Sequence, residues 1–132
     1  MGYLLDTNIL SDLVRNPQGV VAARLADIDP RDLCTSVIVA AELRYGAARR
    51  GSPQLSRQVE AILGVLDIVA MEPSVSETYA EVRTRLEAKG EPIGANDLLI
   101  AAHALSLGST LVTDNEREFR RVEGLLVENW LR

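Results

Sequence analysis

The 132-residue chain holds one cysteine, Cys34, and one histidine, His103. A lone cysteine excludes a disulfide framework within the chain, and neither a cysteine zinc site nor a His-paired one can be assembled. Aromatic residues are sparse: Tyr3, Tyr45, Tyr79, Phe119 and Trp130. They are too few for a base-stacking platform on a sheet. Lys89 is the single lysine. No apolar run reaches the ~20 residues of a membrane span. The first residues, MGYLLDTN, have neither the basic lead nor the apolar stretch of a signal peptide. No Gly-x-x-x-x-Gly-Lys occurs, so a P-loop nucleotide site is absent. Nor is there an internal repeat or a low-complexity linker. The expectation is a single domain over residues 1–132, with no membrane partner.

The chain is 47% hydrophobic and 25% charged, enough for one real core. Its net charge of −5 at first argues against a polyanionic partner.

Short apolar runs alternate with helical periodicity. Strands are predicted at Tyr3–Leu5, Leu33–Ser36, Leu66–Met71 and Ser109–Thr113, with a fifth at Leu125–Val127. Between them Ile9, Leu10, Leu13 and Val14 share one helical face, stopped by Asn16-Pro17. Further helices are predicted at Val20–Ile28, Val37–Arg50, Gln54–Val65, Ser74–Lys89 and Gly94–Leu107. The last is apolar on nearly all sides and is expected to be buried. This alternation predicts an α/β fold whose central parallel sheet has four to five strands. Ligands in such sheets bind beyond the carboxyl ends of the strands.

Acids fall at those ends. The first strand runs into Asp6 and the fourth into Asp114. Asp97 lies in the first turn of the buried helix. Glu42 follows the second strand, on a stripe with Ile38, Val39 and Tyr45. Each acid alone has an ordinary alternative: a helix N-terminal charge for Asp6 and Asp97, a turn for Asp114, a solvated side chain for Glu42. Their joint placement calls for a divalent cation, because four carboxylates at one sheet end would repel. Oxygen-only ligands point to Mg²⁺, with Mn²⁺ as a substitute, and to phosphoryl-ester hydrolysis.

LLDTNILSDLV, SVIVAAELRYGAARR, GEPIGANDLLIAAHAL and LVTDNEREFRRVEGLLVENW, spread from Met1 to Trp130, resemble the PIN-domain ribonucleases. More narrowly they resemble the VapC toxins of bacterial toxin–antitoxin pairs and the FitB proteins. The resemblance implies a PIN-like α/β/α sandwich and a metal-dependent endoribonuclease acting in the bacterial cytoplasm. It implies Asp6, Glu42, Asp97 and Asp114 as catalytic, metal-binding acids, with Glu118 as another candidate for the fourth position. Thr7, Asn8, Ser36 and Asn115 fall beside these acids and can orient ligands or cap helices. The resemblance further implies initiator tRNA, cut in the anticodon stem-loop, as substrate. It implies a VapB-like antitoxin as partner, promoter DNA contacted through the antitoxin complex, and a homodimer.

From Leu43 to Val59 there is no acid and there are four arginines, of which Arg44, Arg49 and Arg50 stand nearest Glu42. They are candidates for holding an RNA backbone, or a solvated helical face. His103 is expected to pack in the core, six residues and about 240° from Asp97. Cys34 is expected in the core, and Trp130 to pin the end of the chain. Two other functions stay open: a non-catalytic binding module, and an aspartate-nucleophile phosphatase. The phosphatase would want an acid where Asn8 stands and a lysine near the site.

Overall fold

The computed structural model describes residues 2–132. Among these residues five strands form one parallel sheet: β1 (Tyr3–Leu5), β2 (Leu33–Ser36), β3 (Asp67–Val69), β4 (Thr110–Val112) and β5 (Val127–Glu128). Their order is β3-β2-β1-β4-β5, every neighbouring pair parallel. β1 is therefore the central strand. The chain winds outward from it in one direction through β2 and β3, then crosses to β4 and β5 on the other side. The reversal lies between β1 and β4, and at such a point the crevice beyond the carboxyl ends opens.

Among the described residues seven α-helices cover the sheet: α1 (Thr7–Arg15), α2 (Val20–Ala26), α3 (Val37–Arg50), α4 (Pro53–Leu63), α5 (Ser74–Ala88), α6 (Ala95–Leu107) and α7 (Glu116–Phe119). α1 packs with α2, α3 and α4, and α5 packs on α6. None is long and apolar enough to cross a membrane.

The local signals are physical. Asp6, Ser36 and Ser52 each accept a backbone N–H in the first turn of the helix that follows. Gly51 (φ 64°) and Gly108 (φ 65°) end α3 and α6 in the left-handed conformation that only glycine adopts without strain. Leu4, Leu5, Leu111 and Val112 on the central strands are completely buried, as are Ile9, Leu10, Val39 and Ile100 on the helices laid over them. Helix α6 is buried along most of its length, as its composition requires. Trp130 is buried and meets the Tyr3 ring edge-on at 5.3 Å, so the end of the chain is clasped to the central strand.

Three expectations need correction. The fifth strand is Val127–Glu128: Leu125 closes back on Val122, and Leu126, whose carbonyl accepts the Leu111 N–H, stands just before the paired residues. The third is shorter than Leu66–Met71, since only Asp67–Val69 has a partner strand, β2, to pair with. The stripe carrying Glu42 is not apolar throughout: Tyr45 is 65% exposed.

Candidate active site at the carboxyl ends of the strands

Asp6 directly follows β1 and is 3% exposed. One carboxylate oxygen accepts the Thr7 N–H at 2.8 Å, capping α1, and the other accepts the Thr113 hydroxyl at 2.7 Å. Burial raises its pKa; the bonds from Thr113 and Thr7 oppose this, and the charge of Glu42 adds to the rise. Asp6 therefore caps α1 with one oxygen and meets Thr113 with the other.

Glu42 reaches the site from α3. Thr7 Oγ1 donates to its Oε1 at 2.5 Å and Asn96 Nδ2 to its Oε2 at 3.2 Å. Asp97 stands in the first turn of α6, whose N-cap is Gly94. Its pKa is pushed up to about 6, first by burial and then by the negative charges of Asp6, Glu118 and Glu42. The Asn115 amide donates to Asp97 Oδ2 at 3.4 Å and to Glu118 Oε2 at 3.0 Å. Asp6, Glu42, Asp97 and Glu118 thus share one electrostatic neighbourhood, and none of them has a Lys or Arg ion-pair partner among the described residues.

Asp114 is placed differently. Its backbone N–H donates to Asn8 Oδ1 at 2.9 Å, but its exposed carboxylate turns to Asn129 Nδ2 at 3.1 Å. Glu118, carried inward by the short helix α7, stands where Asp114 was expected. Asn8 ties the two central strands together, with its amide 3.4 Å from both Asp6 Oδ2 and Thr113 Oγ1. Ser36 makes no hydrogen bond to the acids among the described residues: it caps α3 and shares a 2.9 Å hydrogen bond with His103 Nδ1. His103 is a buried packing residue, its pKa lowered by burial. Cys34, half-buried near the amino ends of the strands, has its thiol pushed up to about 11 by burial.

Thr113 and Asn96 were not foreseen. Thr113 immediately precedes Asp114, and Asn96 immediately precedes Asp97, so adjacency to an acid was the available signal. Arg44 is held by Glu60 in two bonds of 2.9 and 3.0 Å, whereas Arg49 and Arg50 have no ion-pair partner among the described residues. Lys89 caps the far end of α5, and Asn8 occupies the position a phosphatase acid would need, so the aspartate-nucleophile arrangement is not assembled.

The donor set is carboxylate oxygen, assisted by amide and hydroxyl groups, which suits a hard divalent cation. Among the described residues no three acidic, imidazole or thiol groups are already gathered tightly enough to enclose an ion. Thr7, Asn96 and Asn115 occupy carboxylate oxygens of Glu42, Asp97 and Glu118. Four uncompensated like charges nevertheless make the neighbourhood one that a cation would stabilise.

Residues 3–125 match the PIN domain family. A protein of Rickettsia felis named ribonuclease VapC2 is 38% identical over 132 residues, covering 98% of each chain. A Shigella flexneri protein named tRNA(fMet)-specific endonuclease VapC is 33% identical over 129 residues, covering 97% of each. Among solved structures, VapBC2 from Rickettsia felis bound to a fragment of its promoter DNA superposes with a TM-score of 0.90. It is 37% identical, covering 98% of this chain and 99% of that one.

Proposed function

This chain belongs to the PIN-domain family, and from that premise we propose that it is the ribonuclease toxin of a VapC-type toxin–antitoxin pair. Its activity is divalent-metal-dependent hydrolysis of RNA phosphodiesters. The observation that carries this reading is the meeting of Asp6, Glu42, Asp97 and Glu118 at the sheet's reversal point without a cationic partner. A relative named for specificity towards tRNA(fMet) supports initiator tRNA as the substrate.

Asp6 and Asp97 would hold Mg²⁺, with Glu42 and Glu118 completing the set directly or through water. When bound, the ion would supply Lewis-acid polarisation of the phosphodiester and a water of lowered pKa. The chain's own groups fix the geometry around it. Thr7 and Asn96 set the direction of Glu42, Thr113 that of Asp6, and Asn115 spans Asp97 and Glu118. Such hydrolysis needs no 2′-hydroxyl, so preference for RNA must come from recognition of shape and loop.

The partner is a VapB-like antitoxin, which would carry the contacts to promoter DNA. Purified protein, Mg²⁺ and a total tRNA pool test the reading. The expected result is cleavage of one tRNA at one position, lost with EDTA. No cleavage of either tRNA or rRNA would overturn it in favour of a binding module.

A further inference from the structure

Two helical stripes leave the acids side by side. On α1 the stripe is Thr7, Ser11 and Arg15, and on α3 it is Glu42, Gly46 and Arg50, each spaced four residues apart. Residues at this spacing lie on one helix face. The Thr7–Glu42 hydrogen bond joins the stripes at the site end. Below it lies a groove of about 200 Å³, lined by Ser11, Arg15, Glu42, Gly46 and Arg50 over an apolar floor that includes Leu43. At 1.5 Å per residue, the two arginines sit about 12 Å along the groove from the acids.

We infer that this groove carries the RNA strand away from the cleavage site, with Arg15 and Arg50 binding its backbone phosphates. The inference rests on the ribonuclease reading above. Both arginines are exposed, and neither has an ion pair or side-chain hydrogen bond among the described residues. Arg44, two residues on from Glu42 and on another face, is instead neutralised by Glu60. The groove thus begins at carboxylates and ends at free guanidinium groups. A polyanion with one phosphate at the acids places later phosphates at that cationic end, while the apolar floor accepts ribose or base faces. Gly46 keeps the middle open: a Cβ there meets nothing within 4 Å.

The test measures kcat/KM for tRNA cleavage and, in an Asp6→Asn background, the salt dependence of binding to labelled bulk tRNA. Arg15→Ala with Arg50→Ala should lower kcat/KM by roughly tenfold per arginine, the size of one charge-assisted hydrogen bond. The slope of log affinity against log salt should shrink by about 1.4, at about 0.7 per single-stranded phosphate contact. Gly46→Glu, which adds a carboxylate to open space, should weaken binding too. Arg31→Ala removes an equal charge beside Asp29, outside the groove, and should change neither quantity. If the wild-type protein cuts tRNA while the double variant and Gly46→Glu cut it equally well, the groove is not the RNA path. Unchanged cleavage with weakened antitoxin binding would likewise overturn it, assigning the groove to a protein. Wild-type protein that cuts no RNA refutes the ribonuclease reading instead; the salt slope then decides the groove alone.

Discussion

Asn96 donates to Glu42 at 3.2 Å across 54 positions of sequence. The bond joins the start of α6 to the middle of α3 and, with Thr7, leaves Glu42 little freedom to turn. Asn96 is exposed, so its replacement removes orientation without opening the core. Asn96→Ala should alter stability by no more than about 0.5 kcal/mol. It should lower kcat by roughly tenfold, since a misdirected carboxylate is a positioning loss. Thermal melts and cleavage kinetics on the same preparation check both halves; full activity would show that Glu42 needs no such support.

Asp6→Asn keeps one oxygen to cap α1 and turns its amide to the Thr113 hydroxyl, which can accept instead of donate, so the fold should survive. Loss of the charge should abolish RNA cleavage and growth arrest. Asp6→Ala removes the cap as well and should cost about 1 kcal/mol more than the asparagine variant. Cleavage by a folded Asp6→Asn protein at the wild-type rate would sink the metal-site reading.

Glu118 and Asp114 can be ranked. Glu118→Gln should reduce cleavage by at least an order of magnitude, because Glu118 shares the Asp97 neighbourhood. Asp114→Asn should have a smaller effect, its carboxylate being turned to Asn129. Parallel measurements of Mg²⁺ dependence decide the order, and the opposite ranking would restore Asp114 to the fourth position.

The pH dependence of stability follows from Asp97. Its folded-state pKa, about 6, lies above the ordinary value of 3.8. Between about pH 4 and pH 6 the folded chain keeps a proton that the unfolded chain has released. Stability from this group is therefore present below pH 4 and lost as pH rises through 6. Asp97 is partly exposed, so solvent screening limits the effect to about 1 kcal/mol. In EDTA, the Tm of wild type relative to Asp97→Asn should fall across that window, and Mg²⁺ should restore it above pH 6. A difference that stays flat, or grows in favour of wild type, would contradict the assignment.

Much of this arrangement was readable from residue order. Tyr3–Leu5 followed at once by Asp6 marks a buried strand that stops at a charge, and a parallel sheet then forces strand ends together. Asp97 was legible as a carboxylate opening an otherwise apolar helix, and Glu42 as one following Ile38 and Val39 on α3. What could not be read depends on direction. Whether Asp114 or Glu118 points inward turns on the backbone at Asn115 (φ −91°, ψ 52°) and on the four-residue helix after it, which has too few turns to show a period. The neutralisation of Arg44 by Glu60 joins two helices across a turn and leaves no trace in local composition. The net charge of −5 was misleading in a different way: part of it is concentrated in carboxylates that a cation would offset, while Arg49 and Arg50 have no ion-pair partner among the described residues.

The central strand and its neighbour β4 are separated in sequence by two other strands and six helices. Trp130 then folds back onto Tyr3. Asp6 comes before α1, but Asp97, Asn115 and Glu118 come only with α6 and α7. A nascent or prematurely terminated chain therefore has no complete set of acids. Assembly of the four acids therefore waits on the packing of α6 and α7, whatever the state of the first strand and helix.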